Sequence, residues 1–312
     1  MVPYDLSPDF ACRLEMAYVR FTGEVYKIQR SNTVVNFFRK IIWGLSHKTS
    51  NFKGKESLVA LISRPNSLNH IEINRQGVNW LLQGHDVNEF AIAARHNHSP
   101  LLSKSLSEEI EKHNVHIFWD IGANIGGIAL PLLKEFPYLK VILFEPSAEV
   151  AGRLIRNLSN NPDLFQRSMI MNIALSDSDG INDFYVSNET FNSGVAGLGH
   201  SHNRFQFAVG VQAYTGDSLV GSKKCPVPEL IKIDVEGFEL EVLKGLKKTL
   251  IQFHPPIFFE HAIYRLKERK HAQDQVTNFL ESLGYAIFRL SDNKKITSAD
   301  LARDADFVAR AL

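Results

Sequence analysis

The chain has 312 residues, 44% of them hydrophobic, which suits one large α/β domain with an extension. Thirty-five basic residues against thirty-four acidic ones leave a net charge of +1, which argues against a dedicated nucleic-acid binder. Only two cysteines, Cys12 and Cys225, are present, too few for a disulfide framework or a zinc cluster, and a reducing cytoplasm fits. The opening "MVPYDLSPDF" lacks the basic start and apolar run of a signal peptide. The longest apolar stretch, "VVNFFRKIIWGL", is cut by Arg39 and Lys40 and is too short to span a bilayer, so a soluble protein is expected.

In chain order, Ser7-Pro8 reads as a helix start, and Phe10, Leu14, Tyr18, Phe21, Val25 and Ile28 recur at helical spacing. A second helix is predicted over Val34 to Leu45, completing a helical extension over residues 1–55. These apolar stripes call for burial against the rest of the chain or a homodimer partner. Lys27, Arg30, Arg39, Lys40 and Lys48 offer peripheral membrane contact as the alternative. The polar "SHKTSNFKGKES" reads as a linker. Then "LVALIS", "HIEIN" and "VNWLLQ" read as strands, with a hairpin turn at Asn74-Arg75-Gln76-Gly77, and residues 100–113 as a helix. Residues 56–114 thus form a small α+β adaptor.

From Val115 onward strands and helices alternate, the pattern of a largely parallel sheet covered on both faces. Strands are predicted at "HIFWDI", "KVILFE", "SMIMNIAL", "ELIKID", "IFFE", "YAIFRL" and "DFVARAL", with helices over 147–159, 237–250 and 272–283. The rhythm breaks at 181–215, where "INDFYV" and "FQFAVGVQAY" predict an extra antiparallel pair around the loop "SNETFNSGVAGLGHSHNR". His200, His202 and Arg204 in that loop suit a lid or a solvated surface better than a metal, since H-x-H alone indicates no third ligand.

The first strand opens into Asp120-Ile-Gly122-Ala-Asn124-Ile-Gly126-Gly127. Glycines at a strand-to-helix turn let the backbone approach a ligand, and asparagine tolerates left-handed geometry. The spacing departs from the dinucleotide pattern G-x-G-x-x-G, and a carboxylate at Asp120 would repel a pyrophosphate. A ligand with a carboxylate, an ammonium and a sulfonium fits better, and S-adenosylmethionine carries all three. Glu145, followed by Pro146 at the end of the second strand, can accept from two ribose hydroxyls. Asn172, Ala174 and Leu175 after the third strand would lie along the adenine. A tight turn with a solvated strand end is the alternative for these positions.

Candidate chemistry lies after the fourth and fifth strands. If the first and fourth strands are neighbours at the switch point, Asp234 and Glu236 bring carboxylates opposite Asp120. Their alternative is to cap the following helix. Glu260 and His261 end the fifth strand, where a carboxylate or imidazole could act as general base toward a hydroxyl. Asp234, Glu236 and Glu260 could also hold a divalent cation, but no spacing demands one, and no metal is expected.

Together, "FWDIGANIGG", "LFEPSAEVAGRLIRNL", "NIALSDSDG", "VQAYTGDSLV" and "LIKIDVEGFELEVLKG" resemble the FkbM-type methyltransferases, a branch of the class I S-adenosylmethionine-dependent enzymes. The resemblance covers roughly residues 115–290 and implies a Rossmann-like sheet of seven strands with the last antiparallel, within a methyltransferase domain over 115–312. It implies methyl transfer to a hydroxyl of a sugar, glycan or secondary metabolite. By position it puts Asp120, Gly122, Asn124 and Gly126 at the methionine end, Glu145 at the ribose and Ala174 at the adenine. Asp217 falls where the family has an acid, with a structural role. The basic tail of "FFEHAIYRLKERK" departs from the family's pattern. The rival readings are a nicotinamide-dependent oxidoreductase and a non-catalytic nucleoside-binding scaffold.

Overall fold

A computed structural model describes residues 17–21, 24–28, 70–83, 86, 89, 92, 99–187, 197–198, 205–261, 274–296 and 305–312. The chain divides into two units, Met1–His98 with Thr190–Asn192, and Ser99–Glu189 with Ser193–Leu312. The predicted helix over 34–45, the strand "LVALIS", and His200, His202 and Arg204 lie outside the described residues.

The first unit holds a four-stranded antiparallel sheet in sequential order: β1 (Ala17–Phe21), β2 (Glu24–Ile28), β3 (His70–Arg75) and β4 (Val78–Gln83). The helix expected across Phe10 to Ile28 is therefore corrected: its described part is a hairpin, with Phe21 paired to Glu24. The physical reason is that apolar spacing is only a local signal, which pairing with β3 overrides. The β-branched and aromatic content of "YVRF" and "EVYKI" then favours the extended form. The predicted turn between β3 and β4 is present. Gln76 (φ 51°) and Gly77 (φ 73°) are both left-handed, as a two-residue hairpin turn needs. Val78, Trp80 and Leu82 are buried on one face of β4.

The second unit begins with the helix Pro100–His113, which buries Leu102, Leu106 and Ile110 and ends at left-handed Asn114. Then come β5 (Ile117–Ile121), β6 (Lys140–Phe144), β7 (Ser168–Met171), β8 (Ala174–Leu175), β9 (Gly180–Ser187), β10 (Gly197–Leu198) and β11 (Phe205–Tyr214). After them follow β12 (Leu230–Ile233), β13 (Ile257–His261), β14 (Tyr285–Arg289) and β15 (Ala305–Ala311). The main sheet runs β14-β15-β13-β12-β5-β6-β7, and only β15 is antiparallel to its neighbours. The order reverses at β5, which pairs with β6 on one side and β12 on the other. That is the expected switch point. The extra pair, β9 with β11, forms a smaller sheet with β8 and β10.

Core side chains come from both faces of the main sheet, with Trp119, Ile121, Phe144, Ile231, Ile233, Phe259 and Phe307 in one buried cluster. The helix predicted over 237–250 is two helices, Glu239–Gly245 and Lys247–Phe253. At the break, a Cβ on Gly245 would lie 1.9 Å from the Ser176 carbonyl oxygen, so only glycine lets the helix pass the end of β8. Asp217 caps the second of these helices, accepting from the Lys248 and Thr249 N–H groups at 2.8 Å each. Its role is structural, as expected.

Candidate active site

At the carboxyl end of β5 the chain turns over residues 122–128, and a seven-residue helix starts only at Ala129. The turn is longer than a strand feeding straight into a helix. Gly122 (φ 78°) donates to the Phe144 carbonyl at 3.0 Å, and an added Cβ would meet the Asp234 carbonyl oxygen at 1.9 Å. This glycine therefore lets β5 and β12 close together at the switch point. Asn124 (φ 51°) is left-handed, and its side-chain oxygen accepts from the N–H of the next residue, Ile125, at 2.8 Å. Gly126 (φ 91°) sits against Leu130 and Leu154. Buried Asn157 ties the turn down by donating to the Ile125 carbonyl.

Glu145 is buried at the end of β6, where one carboxylate oxygen accepts from the Asn124 N–H at 3.0 Å and the other from the Ser147 N–H at 2.9 Å. Burial pushes this carboxyl up to about 7, against the pull of those two hydrogen bonds. Glu145 thus joins the turns after β5 and β6. Asn172 donates to the Glu145 carbonyl at 2.7 Å and the Pro146 carbonyl at 3.1 Å, so its amide holds that junction. Ala174 packs with Phe184, Ala213 and Phe238, and Leu175 belongs to the main core. The contacts of these two residues are those of packing.

Asp120 is fully buried, and its partner is Lys232 from β12, a residue not singled out in the sequence. The ammonium lies 3.1 Å from Asp120, 3.4 Å from Asp234, and donates to the Gly122 carbonyl at 3.0 Å. Asp120 and Lys232 sit directly opposite each other in the β5–β12 register. Both carboxylate oxygens of Asp120 are buried, and the Lys232 ammonium is the cation that faces them. Burial pushes Asp120 up, and Lys232 pulls it back. Burial alone would lower Lys232, yet the charges of Asp120 and Asp234 hold it above the ordinary lysine value. With two carboxylates and a carbonyl around it, the lysine keeps its proton. Reading "ELIKID" simply as a strand gave it no role. The one usable signal was a lysine inside a strand predicted to be buried on both faces.

Beyond β12, Glu236 (φ 56°) and Gly237 (φ 96°) are consecutive left-handed residues. A non-glycine residue held there is strained, and such strain is common at functional sites. Glu239, also missed in the sequence, holds the loop by accepting from the Val235 and Gly237 N–H groups at 3.2 and 3.1 Å. Its carboxyl is pushed up to about 7 by burial. Glu260 and His261 close β13, and Glu260 stands opposite Asp306 of β15. Desolvation and then the charges of Asp234, Glu236, Asp306 and Glu239 push Glu260 up to about 8. Because Glu260 keeps solvent contact, we attribute the shift chiefly to the surrounding carboxylates. The structure thus brings Asp234, Glu236 and Glu260 together electrostatically and adds Asp306. Among the described residues, no group of three His, Cys, Asp or Glu is arranged to hold a metal ion.

A β7-β6-β5-β12-β13-β15-β14 sheet with carboxylates at the ends of β5, β6, β12 and β13 defines a Rossmann-like, class I type of methyltransferase. A family model, the methyltransferase FkbM domain, matches residues 120–287, more than half of the chain. The chain belongs to the FkbM methyltransferase family, whose methyl donor is S-adenosylmethionine. It is 33% identical over 145 residues to the hexuronic acid methyltransferase AglP of Haloferax volcanii, a match covering 46% of this chain and 55% of that one. It is 29% identical over 175 residues to the 2-O-methyltransferase NoeI of Sinorhizobium fredii, covering 52% of this chain and 70% of that one. The chain thus spans little more than half the length of the archaeal relative. A solved FkbM methyltransferase from Methylobacillus flagellatus is 16% identical with a TM-score of 0.43, covering 63% of this chain and 44% of that one.

Proposed function

We propose that the chain methylates a hydroxyl oxygen on a sugar or glycan. The observation that carries this reading is Glu260, a solvent-accessible carboxyl at the β13 end raised to about 8 by desolvation and by neighbouring acids. A carboxylate of that basicity at the carboxyl edge of the sheet suits the removal of a proton from an acceptor hydroxyl. The names of two relatives, one acting on a hexuronic acid and one a 2-O-methyltransferase, support a sugar hydroxyl as acceptor.

The crevice residues fit the donor. Each Glu145 oxygen takes one backbone N–H and retains a lone pair for a ribose hydroxyl. Asp234 is partly exposed and negative, suited to a cationic group. S-adenosylmethionine supplies a methyl group already activated on a sulfonium. The protein's share of the work is then to hold the acceptor in line, exclude water and take the proton. Asp120, Gly122, Asn124, Gly126, Glu145, Pro146 and Asn172 shape the donor side in this reading, with Ala174 and Leu175 as packing beneath it. Glu236, Glu260 and His261 shape the acceptor side, and Asp234 stands where the donor's cationic end meets the acceptor.

The test uses radiolabelled donor with glucuronic acid-containing and neutral glycans. Label that survives mild alkali is an ether on a hydroxyl, the expected result. Alkali-labile label would be a methyl ester on the hexuronate carboxyl and would replace this reading. We also place the protein in the cytoplasm. The free, buried Cys225, whose thiol burial pushes up to about 11, supports a reducing compartment, and no helix among the described residues is long and apolar enough to cross a membrane.

A further inference from the structure

Asp120 opens the glycine turn and is the obvious acid to meet the donor's positive charge, but its charge is already matched. Lys232 faces it across the β5–β12 pair at 3.1 Å, and the same ammonium is anchored by the Gly122 carbonyl at 3.0 Å. Asp120 is fully buried, whereas the Asp234 side chain is 35% exposed. The lysine reaches both acids, so the group of three carries one net negative charge, and its accessible end is Asp234.

We propose that Lys232 is a positioning residue that neutralises Asp120 and thereby leaves Asp234 as the carboxylate meeting the cationic end of the donor. This rests on the S-adenosylmethionine assignment above. Three features of the structure support it. Lys232 has three oxygen partners at once, which fixes its ammonium at the switch point instead of leaving it to swing between acids. The close approach at Gly122 holds the β5 turn and the Asp234 backbone together, which keeps both acids within reach of the one ammonium. Finally, a positive group at the turn repels a second cation from Asp120, while Asp234 keeps an open side.

The proposal predicts an unusual pattern of binding. Removing Asp120 alone leaves Lys232 to cancel Asp234, so a cationic ligand loses its partner although nothing touching it has changed. Removing Asp120 and Lys232 together restores one uncancelled acid. The experiment is isothermal titration of the full chain with S-adenosylmethionine and with 5′-methylthioadenosine, which lacks both the ammonium and the sulfonium. Asp120→Asn should weaken S-adenosylmethionine about tenfold, the scale of one lost charge-assisted contact, and methylthioadenosine by less than about twofold. The double variant Asp120→Asn with Lys232→Met should recover to within about threefold of the parent chain. A double variant as weak as Asp120→Asn means that Asp120 touches the donor itself, and overturns the proposal. Should the double variant fail to fold, Asp234→Asn decides: unchanged S-adenosylmethionine affinity there overturns it, and a selective loss supports it. A parent chain that binds neither ligand removes the donor assignment and this proposal together, whereas a parent that binds both, without the double-variant recovery, removes only this one.

Discussion

Glu260 and Asp306 stand directly opposite each other in the antiparallel pair of β13 and β15. Like charges in that position destabilise a sheet, so two acids placed there imply that at least one holds a proton at neutral pH. Desolvation is the first cause of the upward shift of both, with Asp234, Glu236 and then Asp306 adding to Glu260, which reaches about 8, and Asp234 adding to Asp306. If Glu260 is the base, turnover should rise with pH as it loses its proton, with an inflection near 8. Asp306→Asn removes a negative neighbour and should move the inflection to lower pH. Glu260→Gln should lower turnover by roughly 10². Single-turnover methyl transfer from pH 6 to 9 reads all three, and an inflection unmoved in Asp306→Asn would take the base role away from Glu260.

The buried Glu239 gives a separate pH dependence to stability without ligand. Its folded pKa, about 7, lies above that of an unfolded glutamate, so the folded state binds the proton more tightly. The penalty is absent below the unfolded value of about 4.3 and grows as pH rises toward 7, where it levels off. Its ceiling is about 3 kcal/mol. Glu239→Gln keeps an acceptor for the Val235 and Gly237 N–H groups and should flatten the fall in stability between pH 5 and 7. Urea unfolding across that range measures it, and an unchanged slope would contradict the assignment.

The switch-point lysine also predicts a stability pattern. Lys232→Met leaves Asp120 buried without its counter-ion and should destabilise the second unit by about 3–5 kcal/mol. Adding Asp120→Asn removes the orphaned charge and should recover most of that loss, because a buried pair replaced on both sides is often near neutral. Denaturant midpoints of the two variants and the parent give the comparison.

Two glycines should respond in opposite ways. Gly122→Ala drives a Cβ into the Asp234 carbonyl oxygen at a left-handed position and should destabilise the fold by about 2–5 kcal/mol. Gly152 lies within the helix Ala148–Ser159 with nothing near its missing Cβ, so Gly152→Ala should stabilise by about 0.5–1 kcal/mol. Thermal unfolding of both variants under one condition tests them.

The strands of the second unit were readable because parallel strands buried on both faces appear as apolar runs between helices. The turn at Gly122 and the acid at Glu145 were readable from their place at strand ends. The hairpin from Ala17 to Ile28 was misread, since apolar spacing is a local signal and does not contain the pairing with β3 that overrides it. Lys232 and Asp306 were hidden for a different reason. Each acquires its meaning from a register partner, Asp120 or Glu260, that lies far away in the chain. Glu239 carried no sequence signal of its own, because its role depends on the left-handed turn at Glu236 and Gly237 that its carboxylate holds.

The position of β15 bears on how the protein is made. Residues 305–311 insert between β13 and β14, so β13 lacks its outer neighbour and β14 its only one until this segment has left the ribosome. Until then a nascent chain exposes the open edge of β13, with Phe258 and Phe259 beside it, a template for pairing with another nascent copy. Asp306 arrives with the closing strand. The acidic rim around Glu260 is therefore assembled at the same moment as the sheet is sealed, and a polypeptide stalled before residue 305 lacks both.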